Sequence, residues 1–178
     1  MVRLVADTVH LMSGLTRFRD FRALSGVERS ATLVASALNP AMLVMLKARG
    51  ARWTIGFVER HSLKRFRTHR RASNPDSIRL ATRIGSSVNR AAAGPAPATT
   101  CLARSLTTQL LLRRRGIDAR LRIGVARQRS AAPDQPLSFH AWVEVAGTPV
   151  NDAHDVGLNY STLHLAPALD ALDIRAQA

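Results

Sequence analysis

A single cysteine, Cys101, leaves this chain unable to close an internal disulfide and gives no reason to place it in an oxidising compartment. The cytoplasm is the default expectation. Aromatic residues make up only 4% of the sequence, which leaves few platforms on which bases could stack. No glycine loop followed by lysine is present to cradle a phosphate, so nucleotide use by this chain has no motif behind it. Asp7, His10 and Arg17 interrupt the early apolar residues, and no secretory signal core is expected. The longest uncharged run, from Ser30 to Leu46, contains Ser36, Asn39 and Pro40 and falls short of the roughly 20 apolar residues a spanning helix needs. It reads as a buried or interfacial helix, with no membrane span. His61, His69, His140, His154 and His164 show no ligand spacing, and Cys101 has no companion thiol. Neither a metal nor another cofactor is expected.

Acidic residues are also scarce, 12 against 26 lysines and arginines, for a formal charge of +14. Nearly all of the excess is arginine, since Lys47 and Lys64 are the only lysines. Such a field favours acidic peptides, nucleic acid or anionic membrane, and it equally describes a solvated basic face. A basic nucleic-acid module without catalysis is therefore the competing reading from another class, with Arg60 to Arg71 as its patch. The scarcity of aromatics weighs against it. What remains, 178 residues with 46% hydrophobic, is enough for one compact domain with its own core.

Organisation follows from caps and periodicity. Ser25-Gly-Val-Glu28 has the form of a capping box opening a helix towards Gly50, which Pro40 should kink or split. A second helical segment runs from Trp53 to about Arg71 and carries the basic patch. Asn74-Pro75-Asp76 supplies a cap, a first-turn proline and a first-turn acid for a helix whose Ile78, Ala81, Ile84 and Val88 share a face. It stops before Gly94-Pro95, inside a small-residue linker from Ala91 to Thr99. Thr99 or Thr100 can cap a helix from Cys101 to about Arg115, striped by Leu102, Leu106 and Leu110 and ended by Gly116. Ala119, Leu121, Ile123 and Val125 alternate with polar residues and glycine as a strand does. A loop from Gln128 to Pro136 leads to strands Phe139–Val145 and Thr148–Asp152, joined through Ala146-Gly147. The class is α+β: an N-terminal extension over 1–24, a helical part over 25–94, and a second part over 95–178 that carries the chemistry.

Acyl transfer at a peptide bond needs an ionised nucleophile, a base beside it and a group that orients the base. A cysteine at a helix N-terminus meets the first need, because unpaired N–H groups and the helix dipole favour thiolate. Taken alone, Cys101 reads more readily as a small buried hydrophobe than as a nucleophile. His140, at the start of the amphipathic strand Phe139–Val145, shifts that balance by offering a firmly held base. The orienter depends on the hairpin. With a three-residue loop ending at Gly147, His140 faces Asp152; with a loop of Ala146-Gly147 alone, Asn151 takes the histidine's face and Asp152 moves to the other. Asp155 would need a bulge to reach. Trp142 and Glu144 share the face of His140 and read as packing and as an arginine partner. Arg104, one turn beyond Cys101, reads as a neighbour of the thiolate or as a solvent-facing residue.

Cys101-Leu-Ala-Arg-Ser-Leu, Leu112-Arg-Arg-Arg-Gly-Ile-Asp-Ala-Arg-Leu-Arg-Ile-Gly-Val125, His140-Ala-Trp-Val-Glu-Val145 and Val150-Asn-Asp152 together resemble the leader peptidase of lasso-peptide biosynthesis, a branch of the transglutaminase-like superfamily. The resemblance covers about residues 95 to 155. It implies a transglutaminase/papain-like core, a catalytic helix packed on a small antiparallel sheet. It also implies Cys101 as nucleophile, His140 as general base and acid, and Asp152 as the orienting carboxylate, thereby choosing Asp152 over Asn151. The implied activity is removal of the leader from a ribosomally made lasso precursor, ahead of an asparagine-synthetase-like macrolactam cyclase that is a further candidate partner. Leader recognition in that family belongs to a winged-helix unit, fused or separate. Residues before Cys101 read as helices without clustered strands, so a separate recognition protein is expected. A transglutaminase-like fold could alternatively form amide bonds, because an amine can capture the acyl-enzyme in place of water.

Overall fold

The structure, a computed structural model, describes residues 21, 23–68, 74–93, 99–127 and 138–163, the side chains of 63–68 excepted. Most of the expected extension over 1–24, much of the Ala91–Thr99 linker, the Gln128–Pro136 loop, His69, Arg70, Arg71 and His164 lie outside the described residues.

Helix α1 (Gly26–Thr68) opens on the capping box the sequence carries. The Ser25 hydroxyl accepts from the Glu28 N–H at 3.4 Å, and the Glu28 carboxylate accepts from the Ser25 N–H at 3.0 Å. Arg83 donates to both side chains, at 2.9 Å to Glu28 and 2.7 Å to Ser25, and so ties this start to the next helix. The helix does not split at Pro40, while the boundary expected between Gly50 and Trp53 is present at Gly50, with φ 77° and ψ 170°. Proline removes one hydrogen bond but keeps a helical φ, whereas a positive φ takes the chain out of the helix and suits glycine. The stretch Gly26–Ser62 is long and apolar enough to cross a membrane by length and composition, because the helix runs past the charged ends of the Ser30–Leu46 run. Its inward face, including Ala31, Ala35, Met42, Ile55 and Val58, is buried in the core, and the core helix of a folded domain meets the same test.

Helix α2 (Pro75–Ala92) is capped by Asn74, whose side chain accepts from the Ser77 N–H at 2.8 Å, and it buries Ala81, Ile84 and Val88 as expected. Helix α3 (Cys101–Arg113) is capped by Thr100, which accepts from the Ala103 N–H at 3.2 Å. The leucine stripe understates this helix. Ser105, Thr107, Thr108 and Gln109 are buried as well, because α1 and α2 cover the side that the sheet leaves open.

Strands β1 (Ala119–Ala126), β2 (Phe139–Val145), β3 (Thr148–Pro149) and β4 (Tyr160–Thr162) form an antiparallel sheet in the order β3-β2-β1-β4, with the short helix α4 (Val156–Asn159) leading into β4. Leu121 and Ile123 of β1 and Ala141, Val143 and Val145 of β2 turn inward under α3. Two apolar clusters span helices and sheet together. One joins Ala31, Ala35, Ile84, Val88, Leu112, Val143 and Val145, and the other joins Met42, Val58, Leu106, Leu110, Leu121 and Ile123. Each fully buried side chain of this size contributes about 1.5–3 kcal/mol before conformational entropy is counted. A helical part followed by a small antiparallel sheet is the α+β arrangement that the sequence predicts.

The hairpin takes the shorter of the two loops that the sequence allows. Val145 pairs with Thr148 and Glu144 with Pro149, so the loop is Ala146-Gly147 alone, with both φ positive at 50° and 79°. That pair of angles is the type I′ turn whose twist matches the strands. β3 also ends at Pro149, short of the expected Asp152.

Candidate active site

Cys101 is the first residue of α3, where helix geometry leaves backbone N–H groups without intrahelical acceptors. Its half-buried sulfur lies near enough to His140 and to the backbone of Ala141 and Leu102 for these groups to act on its ionisation. The helix end is held on β2 by the Ser105 hydroxyl, which donates to the Ala141 carbonyl at 2.9 Å. Burial is the largest single influence on the thiol and raises its pKa. The bond to His140, the bond to Ala141, the imidazole's charge and the bond to Leu102 together outweigh it, so the thiol ionises below its ordinary range. For His140 the bond to Cys101 is the largest influence and raises its pKa. Burial opposes this, and the Asp152 carboxylate adds to the rise through its hydrogen bond and charge.

The Nε2 of His140 lies 2.5 Å from Oδ2 of Asp152, which leaves Nδ1 for the thiol. The other Asp152 oxygen accepts from the Ala153 N–H at 2.8 Å. The imidazole thus stands between the carboxylate that hydrogen-bonds it and the thiol whose ionisation it favours, an order suited to holding a thiolate beside an imidazolium.

Asp152 reaches His140 by a route other than strand pairing. The Val150 N–H still donates to the Val143 carbonyl at 3.0 Å, but the Val143 N–H donates to Oδ1 of Asn151 at 2.8 Å. Nδ2 of Asn151 donates to Ser105 at 3.0 Å, while its backbone carbonyl accepts from Asn89 of α2 at 2.8 Å. Asn151 is therefore a buried brace that ends the pairing and turns the chain, and the next residue swings onto the histidine. Gly85 of α2 makes the turn possible, because a Cβ there would lie 2.1 Å from the Val150 carbonyl oxygen. Asp155 precedes α4 and is exposed, and its side chain makes no cap bond.

One further group escaped the sequence reading. Tyr160 of β4 stacks on His140 with ring centroids 4.9 Å apart. Gly124 admits it, since a Cβ there would meet Cβ of Tyr160 at 2.9 Å. Trp142 lies 6.2 Å from His140 and is fully buried despite its outward parity, covered by the same tyrosine. Its indole N–H donates to Glu144 at 3.0 Å, and Glu144 accepts from Arg122 at 2.8 Å, so Glu144 has the arginine partner its position suggested. Only the rarity of tyrosine marks position 160 in the sequence, and a three-residue strand has no period to read.

Comparison with protein families matches residues 42–164 to the transglutaminase-like superfamily. The chain belongs to the transglutaminase-like superfamily. Comparison with curated proteins and with solved structures gives no match. The transglutaminase-like region starts within α1, takes in α2, α3 and the sheet, and contains Cys101, His140 and Asp152. Cysteine peptidase or acyltransferase chemistry is the class of activity that goes with this superfamily. Among the described residues no group of histidines, cysteines and acids could hold a metal ion.

Proposed function

We propose that this protein is a cysteine peptidase that removes the leader peptide from a ribosomally synthesised lasso-peptide precursor. It acts with a separate winged-helix recognition protein and ahead of the macrolactam cyclase. The hydrogen bond of His140 to Asp152, with the imidazole favouring the Cys101 thiolate at the helix start, supports the peptidase part. The leader-peptide part rests on the likeness of the Cys101, Leu112–Val125, His140 and Val150–Asp152 segments to leader peptidases.

In this reading the Cys101 thiolate attacks the scissile carbonyl carbon, and the C–N bond breaks as His140 gives its proton to the departing amine. A thioester to Cys101 remains. His140, now neutral, takes a proton from water; the water oxygen bonds to the thioester carbon, and the thiolate leaves. Asp152 keeps the ring oriented and balances the imidazolium. The N–H of Cys101 at the helix start is a donor available to the developing oxyanion.

The test is mass spectrometry of precursor incubated with the full chain, with and without the recognition protein. Leader and core fragments whose masses sum to the precursor plus one water are expected, and Cys101→Ala should give none. Cleavage retained in Cys101→Ala would sink the cysteine-peptidase reading. Products joined to an added amine in place of water would move the protein to amide-forming acyl transfer.

A further inference from the structure

Beside the His140–Asp152 pair lies a cavity of about 390 Å³ lined by Thr82, Ser86 and Asn89 of α2, Arg104 of α3, His140, and the stretch from Val150 to Ala153. Most of its polar groups are already engaged. Both Asp152 oxygens have partners, the Asn151 side chain bonds Val143 and Ser105, and the Thr82 hydroxyl donates to the Ile78 carbonyl. Arg104 stands apart: among the described residues its Nε has no hydrogen-bond partner. Among the described residues the Arg104 guanidinium has no ion-pair partner, although it lies one helical turn from Cys101. It does not serve the thiolate either, because the groups that lower the thiol's pKa are His140, Ala141 and Leu102. Asn89 is already tied down, its Nδ2 donating to the Asn151 carbonyl at 2.8 Å.

A half-buried cation at the wall of a polar cavity, without an anion of its own, suits a ligand that brings one. We propose that this cavity is a substrate subsite for an acidic residue: Arg104 receives the carboxylate of an aspartate or glutamate close to the scissile bond. This rests on the peptidase reading and deepens it. Arginine presents a planar fork that takes a carboxylate through two hydrogen bonds, a preference that an isosteric amide cannot match.

The test uses the full chain and pairs of epoxysuccinyl peptides that alkylate Cys101 and differ only by glutamate or glutamine. The variable residue is placed at one of the two positions on either side of the electrophile. Iodoacetamide labelling of the unaltered chain runs alongside. At one position the glutamate probe should react on the order of tenfold faster than its glutamine twin, and Arg104→Gln should narrow that ratio to less than about twofold. Fast iodoacetamide labelling with no glutamate preference at any position overturns the subsite and leaves the peptidase reading standing. A glutamate preference that survives Arg104→Gln overturns the assignment to Arg104. Iodoacetamide labelling no faster than that of a free cysteine would remove the peptidase reading itself, and the subsite with it.

Discussion

Cys101 and His140 shift each other in opposite directions: the thiol ionises below its ordinary range and the imidazole above its own. The thiolate–imidazolium form therefore gains a window between the two. Iodoacetamide alkylation of Cys101 should set in at a lower pH than for a free thiol, whose pKa is about 8.5. The stability consequences have opposite signs. The His140 contribution is fully present below the imidazole's ordinary value and is lost as pH rises through its raised one. The Cys101 contribution is present above the thiol's ordinary value and is lost as pH falls through its lowered one. Asp152 and Asn151 differ in what their loss should change. Asp152→Asn should lower the cleavage rate about 10²–10⁴-fold by releasing the ring from its tautomer, with little change in urea unfolding. Asn151→Ala leaves the Val143 N–H without a partner, takes away the bond that the Ser105 hydroxyl accepts, and should cost about 1–3 kcal/mol in the same unfolding measurement. A stability loss at Asp152 as large as that at Asn151 would contradict this division.

At the scale of elements, two contacts decide where the active-site segment lies. α2 leans directly on the Val150–Asn151 backbone at Gly85, with room for no Cβ. Gly85→Ala should therefore force helix and segment apart, costing about 1–3 kcal/mol of stability and slowing Cys101 alkylation as Asp152 drifts from His140. Unchanged unfolding and alkylation would show that the segment is held by other means. The α1–α2 contact titrates. The hydrogen bond from Arg83, with those from Ser25, holds the Glu28 carboxyl down at about 2, against an ordinary value of 4.5. Its contribution is present above 4.5 and lost as pH falls through about 2. Glu28→Gln should flatten the acid limb of a thermal-unfolding profile over that interval.

For the molecule as a whole, the dominant quantity is the charge of +14. Arg60 is exposed on α1, while the side chains of Arg65 and Arg67 and all of Arg70 and Arg71 lie outside the described residues. A basic face steers an acidic partner or leader, and a docked recognition protein makes delivery local, at an effective concentration of about millimolar. Under the proposed function, cleavage should be slow for this chain alone, fast with the recognition protein, and weakened by added salt or by charge reversal at Arg65, Arg67 and Arg70. Efficient cleavage by the isolated chain at low micromolar concentration, indifferent to the partner, would show that recognition is built in.

Much of the fold is legible in the sequence because it is local. The Ser25–Glu28 box, the Asn74-Pro75 start, Thr100 before Cys101 and the alternation from Ala119 to Val125 are short-range signals, and each marks an element the structure contains. The neighbourhood of Cys101 and His140 was likewise marked by a helix start and a strand start. Contacts over long sequence separation were not legible. That α1 runs through Pro40 without a split depends on its packing, and the all-round burial of α3 depends on α1 and α2 closing over it. Tyr160 reaches His140 only because β4 returns beside β1 at Gly124. Hairpin parity would send Asp152 to the face away from His140 once the loop is Ala146-Gly147. The tertiary structure brings it back, because Asn89, Ser105 and Gly85 from two helices bend the chain at Asn151, and no period within the strand encodes a force applied from outside it.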